Sequence, residues 1–340
     1  MREHSDLVRA WRALPTGTET VLATVVATRG SVYRRPGARM LLTREGWIAG
    51  SVSGGCIESD LVQTAFDRTE DGAVVVTYDA SAPDDILLGF GLGCNGVVDV
   101  LMQRLPEDGG PLAAIESVLI TRRPGRLETY PDGNWNFAPE MVPLGGRNDR
   151  KGEPWGRGSD GPSTLLTETI TPPLALVIFG AGHDAVPLVR IAKEVGWHVT
   201  VIDGRAAYAK TDRFPAADAV LVSPPGIPIP IERDAAVVLM THSFAHDQSI
   251  LSWLLDEATG YVGVLGPIHR THRLLEESGL ETARLHAPVG LDLGAEGPDE
   301  IALAIVAEIL AVHAGRSGGH LKGRMTPLHA KEEPSHVGRL

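Results

Sequence analysis

The sequence predicts an α/β chain in which a C-terminal Rossmann-like, doubly wound parallel sheet follows an N-terminal α+β domain. Three observations carry that prediction. From Leu174 onward, apolar runs of strand length (LALVIF, HVTVID, AVLVSP, AAVVLMTH and YVGVLG) alternate with helix-like or loop material, as in a parallel sheet with crossovers. The turn GAGHDA stands directly between the first of these runs and a segment of helical period. The first hundred residues instead hold β-branched runs separated by short turns and a few helical segments.

Taken in chain order, Leu7, Val8, Trp11 and Leu14 recur at helical spacing, with Ser5 or Asp6 as the expected N-cap. Thr20–Gly30 is apolar and β-branched, which reads as a buried strand. ARMLLT and GWIAGSVS read as two strands joined at Glu45 and Gly46, CIESDLVQTAF as a helix, and AVVVTYD and GVVDVLMQRL as further strands. One or two strands are expected around Leu119–Gly125 and GRLETY, and the run from Pro139 to Pro162 has no clear pattern. DEIALAIVAEILAV closes the second half as a helix. The expected boundaries are 1–105 for the N-terminal domain, 106–172 for an extension and linker, 173–314 for the Rossmann-like domain and 315–340 for a mobile tail.

Composition narrows the function. A chain of 340 residues with 43% hydrophobic and 22% charged residues is ordinary globular material of two-domain size. A net charge of −12 and an aromatic content of 5% argue against nucleic acid and anionic membrane as partners. No apolar stretch is long enough to span a bilayer, and the charged first residues are no secretory signal. The two cysteines, Cys56 and Cys94, are expected as thiols in a soluble, cytoplasmic protein.

In GAGHDA, Gly180 permits a tight turn, Gly182 lets a pyrophosphate approach the backbone, and Ala185 lets the helix pack closely on the sheet. The helix N-terminus then offers unpaired N–H groups to an anion. Asp203 ends the next strand, where an acidic side chain meets a ribose hydroxyl in dinucleotide folds. His183 and Asp184 crowd the turn, so a dinucleotide, another phosphorylated ligand and a purely structural use of the fold all stay open.

The loops GSVSGGCIESD and GFGLGCNG are the most informative part of the first half. Ser53, Gly54 and Gly55 precede Cys56 at an expected helix start, where the dipole favours thiolate. Gly93 precedes Cys94 in a loop of several glycines. Such loops cost conformational entropy unless backbone shape or ligand access requires them. Thiolates with open backbone around them suit a soft metal or sulfur transfer, although a free cysteine is often just a small buried hydrophobe. Glu58 either complements the helix N-terminus or accepts paired N–H donors from a heterocycle. His242, His246 and Asp247 are a possible metal cluster, with helix capping by Asp247 the plainer alternative; Arg270 or Arg273 would pair a phosphate or line a solvated helix face. No catalytic constellation can be nominated.

Together, ATRGSVYRRPGARMLL, GSVSGGCIESDL, GLGCNGVVDVL, FGAGHDAVPLV, VTVIDGR, MTHSFAHDQ and PVGLDLGAEGPDEIALAI resemble the xanthine dehydrogenase accessory protein (XdhC/CoxI) family. The likeness covers most of residues 15–312, with Ala304 where a serine is expected. The resemblance implies a molybdenum cofactor (molybdopterin) chaperone rather than an enzyme. Such a factor assists sulfuration of the cofactor by a cysteine desulfurase and its insertion into an apo molybdenum hydroxylase. It also implies Cys56 as the leading cofactor contact and Cys94 as the second. Gly180, Gly182 and Asp203 would hold a nucleotide or the pterin phosphate. A homo-oligomer is expected. An NAD(P)-dependent oxidoreductase and a nucleotide-sensing regulator are the alternatives.

Overall fold

The computed structural model describes residues 2–30, 32–55, 57–79, 96–139, 164–254, 259–278 and 285–322. Cys56, Gly93 and Cys94 lie outside the described residues, as does nearly all of the unpatterned run. The chain divides into two compact units, Met1–Pro173 and Leu174–Leu340.

The first unit is built on a five-stranded antiparallel sheet in the order β3-β2-β1-β5-β4. Its strands are β1 (Thr20–Gly30), β2 (Arg39–Thr43), β3 (Gly46–Gly50), β4 (Val74–Asp79) and β5 (Gly96–Arg104). β1 is buried from Thr20 to Val26 and mostly apolar there because both its faces are covered. Val21, Ala23 and Val25 share a core with Ile57, Leu61 and Ala65 at helix α2 (Glu58–Arg68). Leu22 packs with Leu7 of α1 (Arg2–Arg12) and with Leu112, Ile115 and Val118 of α3 (Pro111–Thr121). A second, three-stranded antiparallel sheet, in the order β7-β6-β8, adds Leu127 and Ile170 to that core. Its members are β6 (Gly125–Thr129), β7 (Trp135–Pro139) and β8 (Leu166–Ile170). The buried Arg39 of β2 forms a two-pronged ion pair with Glu168 of β8, tying the two sheets together.

Two expectations for the helices of this unit are corrected. Ser5 and Asp6 lie inside α1, which starts at Arg2, and Asp6 pairs with Arg2 and Arg9 instead of capping. Leu119–Thr121 belongs to the last turn of α3, because Leu112, Ile115 and Val118 set a helical period that continues through them.

The second unit has a six-stranded parallel sheet in the order β11-β10-β9-β12-β13-β14. The strands are β9 (Ala175–Phe179), β10 (His198–Asp203), β11 (Ala219–Val222), β12 (Ala236–Leu239), β13 (Tyr261–Val264) and β14 (Leu285–His286). This is the 3-2-1-4-5-6 order of a Rossmann sheet, reversing direction between β9 and β12. Alternate residues of β9 serve opposite cores: Leu176 and Ile178 face α4 (Ala185–Glu194) and α7 (Pro298–His313), whereas Val177 and Phe179 join α5 (Phe244–Leu254) and α6 (Ile268–Ser278). Burial on both faces explains the unbroken apolar runs of β9 and β12. No described helix is long and apolar enough to cross a membrane.

Candidate functional site

The loop between β3 and α2 is held by one carboxylate. Glu58, only 3% exposed, opens α2 and turns back into the loop. Its Oε1 accepts from the backbone N–H of Val52 at 3.0 Å and of Ser53 at 2.7 Å. Its Oε2 accepts from the Gly55 N–H at 3.1 Å and from the Ser53 hydroxyl. The Ser53 oxygen in turn accepts from the N–H groups of Gly55 and Ile57, both at 3.1 Å. A carboxylate has about four acceptor positions, and all four are filled. Burial pushes the Glu58 pKa up, but the Ser53 hydroxyl and the backbone N–H donors outweigh it and hold the group below the usual carboxylate range. Glu58 is therefore a scaffold for the loop, with no acceptor position left over in this structure for a heterocycle's amine. Gly55 adopts φ +119° with open space where a side chain would stand, so glycine is required there by conformation and the approach stays clear. Gly54 lies under the ring of Tyr33, which is 71% exposed. Sequence reasoning missed Tyr33; a lone exposed aromatic between strands carries no periodicity to flag it.

At the carboxyl edge of the parallel sheet the same device recurs with different donors. Asp203, buried at the end of β10, accepts from the Ala181 N–H at 2.8 Å and from Arg205 Nη2 at 2.7 Å on Oδ2. On Oδ1 it accepts from the Arg205 N–H at 2.8 Å and from Arg205 Nε at 2.9 Å. Burial opposes ionisation, but these bonds prevail and bring the Asp203 pKa down to about 2. Its capacity is thus spent inside the chain, and a ribose hydroxyl would have to displace one of these donors. Gly180 has φ +113°, and a Cβ there would sit 2.4 Å from the Met240 carbonyl, so the tight turn demands glycine. A Cβ on Gly182 would meet only the His242 ring, at 3.7 Å. His242 Nε2 lies 3.3 Å from Asp184, so a histidine stands over the turn where the sequence showed crowding by His183 and Asp184 alone.

Gly180, Asp203, Arg205, Ser223, Thr241 and His246 line a pocket at this edge, beside the point where strand order reverses. Asp247 is fully buried, accepts from the Thr241 hydroxyl at 2.5 Å and forms an ion pair with Arg270, so it fastens α5 to β12 and α6. Arg270 is thereby structural, and Arg273 bonds Glu277 on an exposed helix face at 2.7 Å. No group of three or more His, Cys, Asp or Glu that could hold a metal occurs among the described residues, so His242, His246 and Asp247 form no metal cluster.

A third carboxylate anchors PVGLDLGA. Glu308 of α7 accepts from the Gly290 N–H at 2.8 Å and from the Tyr261 hydroxyl, and lies 3.3 Å from His286 Nδ1. Gly290 has φ +111° and approaches Ala304 so closely that a Cβ on the glycine would be 3.2 Å from the alanine Cβ. The small Ala304 fits where the resemblance suggested serine.

Comparison with known proteins matches a family model described as XdhC and CoxI family over residues 13–79, and one described as XdhC Rossmann domain over 176–309. A Bacillus subtilis protein, named as a probable subunit of xanthine dehydrogenase, is 34% identical over 312 residues, covering 86% of this chain and 92% of that protein. The Escherichia coli protein named molybdenum cofactor insertion chaperone PaoD is 28% identical over 320 residues, 91% of this chain and 89% of PaoD. A crystal structure from Bacillus halodurans, described as a xanthine dehydrogenase, superposes with TM-score 0.77 at 31% identity over 93% of this chain and 97% of that one.

Proposed function

Because the chain belongs to the XdhC and CoxI family, we propose that it is a maturation factor that carries the molybdenum cofactor to a molybdenum hydroxylase of the xanthine dehydrogenase type. The observation that carries this reading is the alignment with the insertion chaperone across both units rather than across a shared nucleotide fold alone. The cofactor is cargo, bound and released. A dithiolene-held molybdenum is a soft centre, and a cysteine thiolate is a soft ligand. In this reading Cys56 is the principal cargo contact and Cys94 the second, and the Glu58-locked backbone presents the approach to Cys56 in a fixed shape. Tyr33, exposed over Gly54, offers a flat apolar face to the pterin. Taking up the cofactor's terminal sulfur from a cysteine desulfurase before insertion belongs to the same proposal.

The test is transfer. The chain, purified without oxygen from cells that make the cofactor, is mixed with cofactor-free hydroxylase, and hydroxylase activity is followed. Activation by wild type, with a loss of at least about tenfold for Tyr33→Ala combined with Cys56→Ser, supports the reading. Activation that is equal with and without the chain rejects it.

A further inference from the structure

The pocket beside the strand reversal is lined by Asp203 and Arg205, and a second guanidinium, that of Arg213, stands near them on the Tyr208 ring. Arg205 has half its side chain exposed, and its guanidinium lies over the Tyr208 ring at 3.9 Å. Its backbone N–H, Nε and Nη2 go to Asp203, which leaves Nη1 without a hydrogen-bond partner among the described residues. Arg213 lies over the same ring at 5.3 Å, and its Nη1 donates to two carbonyls, Ala181 at 2.7 Å and Tyr208 at 3.0 Å. No described carboxylate pairs with Arg213. Arg205 thus has one carboxylate partner and Arg213 none among the described residues, and both guanidinium groups lie over Tyr208 beside the pocket that Arg205 lines.

That carboxylate has nothing left to give. A ribose diol placed at the end of β10 would need an acceptor, and Asp203 already accepts four bonds. To receive the diol it must release Arg205 or Ala181. A phosphate monoester on the ribose makes the opposite demand, because it is a dianion with acceptors only and needs spare donors. The spare donors here are Arg205 Nη1 and the remaining N–H groups of Arg213. Arginine near this strand end is the known accommodation for a ribose 2′-phosphate.

We infer that the pocket of the second unit selects a nucleotide carrying a phosphate on its adenosine ribose, of the NADP class, over the unphosphorylated counterpart. The selection rests on Arg205 competing with the ribose for Asp203 while offering its own free edge to the added phosphate. It does not depend on the cargo reading of the first unit, and cargo retention does not depend on it.

Calorimetric titration of the full chain with NADP, NAD, adenosine 2′,5′-bisphosphate, AMP and inorganic phosphate tests this. Each 2′-phosphorylated ligand should bind at least about tenfold more tightly than its partner without that phosphate, a difference of roughly 1.4 kcal/mol. Arg205→Gln, confirmed as folded by circular dichroism, should invert the order: NADP weakens, and NAD tightens because Asp203 is released to the diol. Arg213→Gln should weaken NADP alone. Equal or tighter binding of NAD by the wild type, no binding of either dinucleotide, or inorganic phosphate binding as tightly as NADP would each overturn the inference. A preference for NADP that survives intact in both arginine variants would overturn it as well.

Discussion

Two glycine turns, one in each unit, are fixed by the same device and tuned to different ends. Glu58 and Asp203 are both buried carboxylates whose four acceptor positions are filled by their own chain. Around Glu58 every donor is a backbone N–H or the Ser53 hydroxyl, all within six residues of it, so nothing in the cage can swing away. Around Asp203 two of the four donors sit on the half-exposed guanidinium of Arg205, which can rotate towards a ligand. In the proposed reading the first turn is a rigid mount for the cysteine that follows it. The second is a balanced contact that an incoming anion can alter. Filling a carboxylate thus says little about function until its donors are sorted into fixed and movable.

Removing the fixed cage should have the largest effect. Glu58→Ala leaves buried N–H groups and the Ser53 hydroxyl without their acceptor, and unmade buried bonds cost about 1–3 kcal/mol each. The first unit should lose roughly 3–5 kcal/mol, read as a lower midpoint in urea unfolding. A loss below about 1 kcal/mol would mean that the loop is held some other way. Gly180→Ala comes next, at roughly 2–3 kcal/mol, because it forces a side chain into a positive-φ turn and against the Met240 carbonyl. Gly182→Ala, whose Cβ meets only the His242 ring at ordinary distance, should change stability by less than about 0.5 kcal/mol. Gly182→Val should leave the fold intact while impeding ligand at the turn, which separates the two glycines by role.

The movable contact predicts a gentler response. Asp203 ionises more readily folded than unfolded, with a folded pKa of about 2 against an ordinary 3.8. A depressed carboxylate contributes stability that is fully present above its unfolded pKa and is lost as pH falls through the folded one. The contribution is therefore complete above about pH 4 and disappears towards pH 2, amounting to roughly 2 kcal/mol. Asp203→Asn should flatten that part of the acid-unfolding curve and cost about 1–2 kcal/mol at neutral pH. An unchanged acid limb in the variant would show that Asp203 is not the group responsible. Glu58 shifts in the same direction, so Glu58→Ala should also flatten the acid limb in the first unit.

Much of the fold was legible because strand burial leaves a plain mark. The run from Thr20 to Gly30 is rich in apolar and β-branched residues on both faces since helices cover both sides of β1 over its buried part, and the structure gives that strand the same ends. The order of strand, GAGHDA and helix located β9 and α4 for the same reason. β7 and β8 escaped because they are short and half-exposed, and β8 pairs with a strand distant in sequence. β14 has two residues, too few for any period. At the site, the sequence marked Glu58, as a complement to a helix N-terminus or an acceptor for a heterocycle, and Asp203, as a ribose or phosphate contact, without showing which donors of the chain they would meet. Whether a carboxylate is spent is a matter of which backbone N–H groups the turn brings to it, and no residue spacing records that. Ala181, Arg205 and the place of His242 over the turn were overlooked for the same cause: their roles come from the approach of separate strand ends.

The claim that this chain carries the molybdenum cofactor is tested most directly by asking what leaves the cell with it. The full chain is purified without oxygen from cells supplied with molybdate, then assayed for molybdenum and for the fluorescence of oxidised pterin. Molybdenum and pterin should both be present in amounts near that of the protein. Cys56→Ser should lower them more than Cys94→Ser, because serine replaces a soft ligand with a hard one. Repeated preparations of folded wild-type protein that contain neither molybdenum nor pterin would contradict the account.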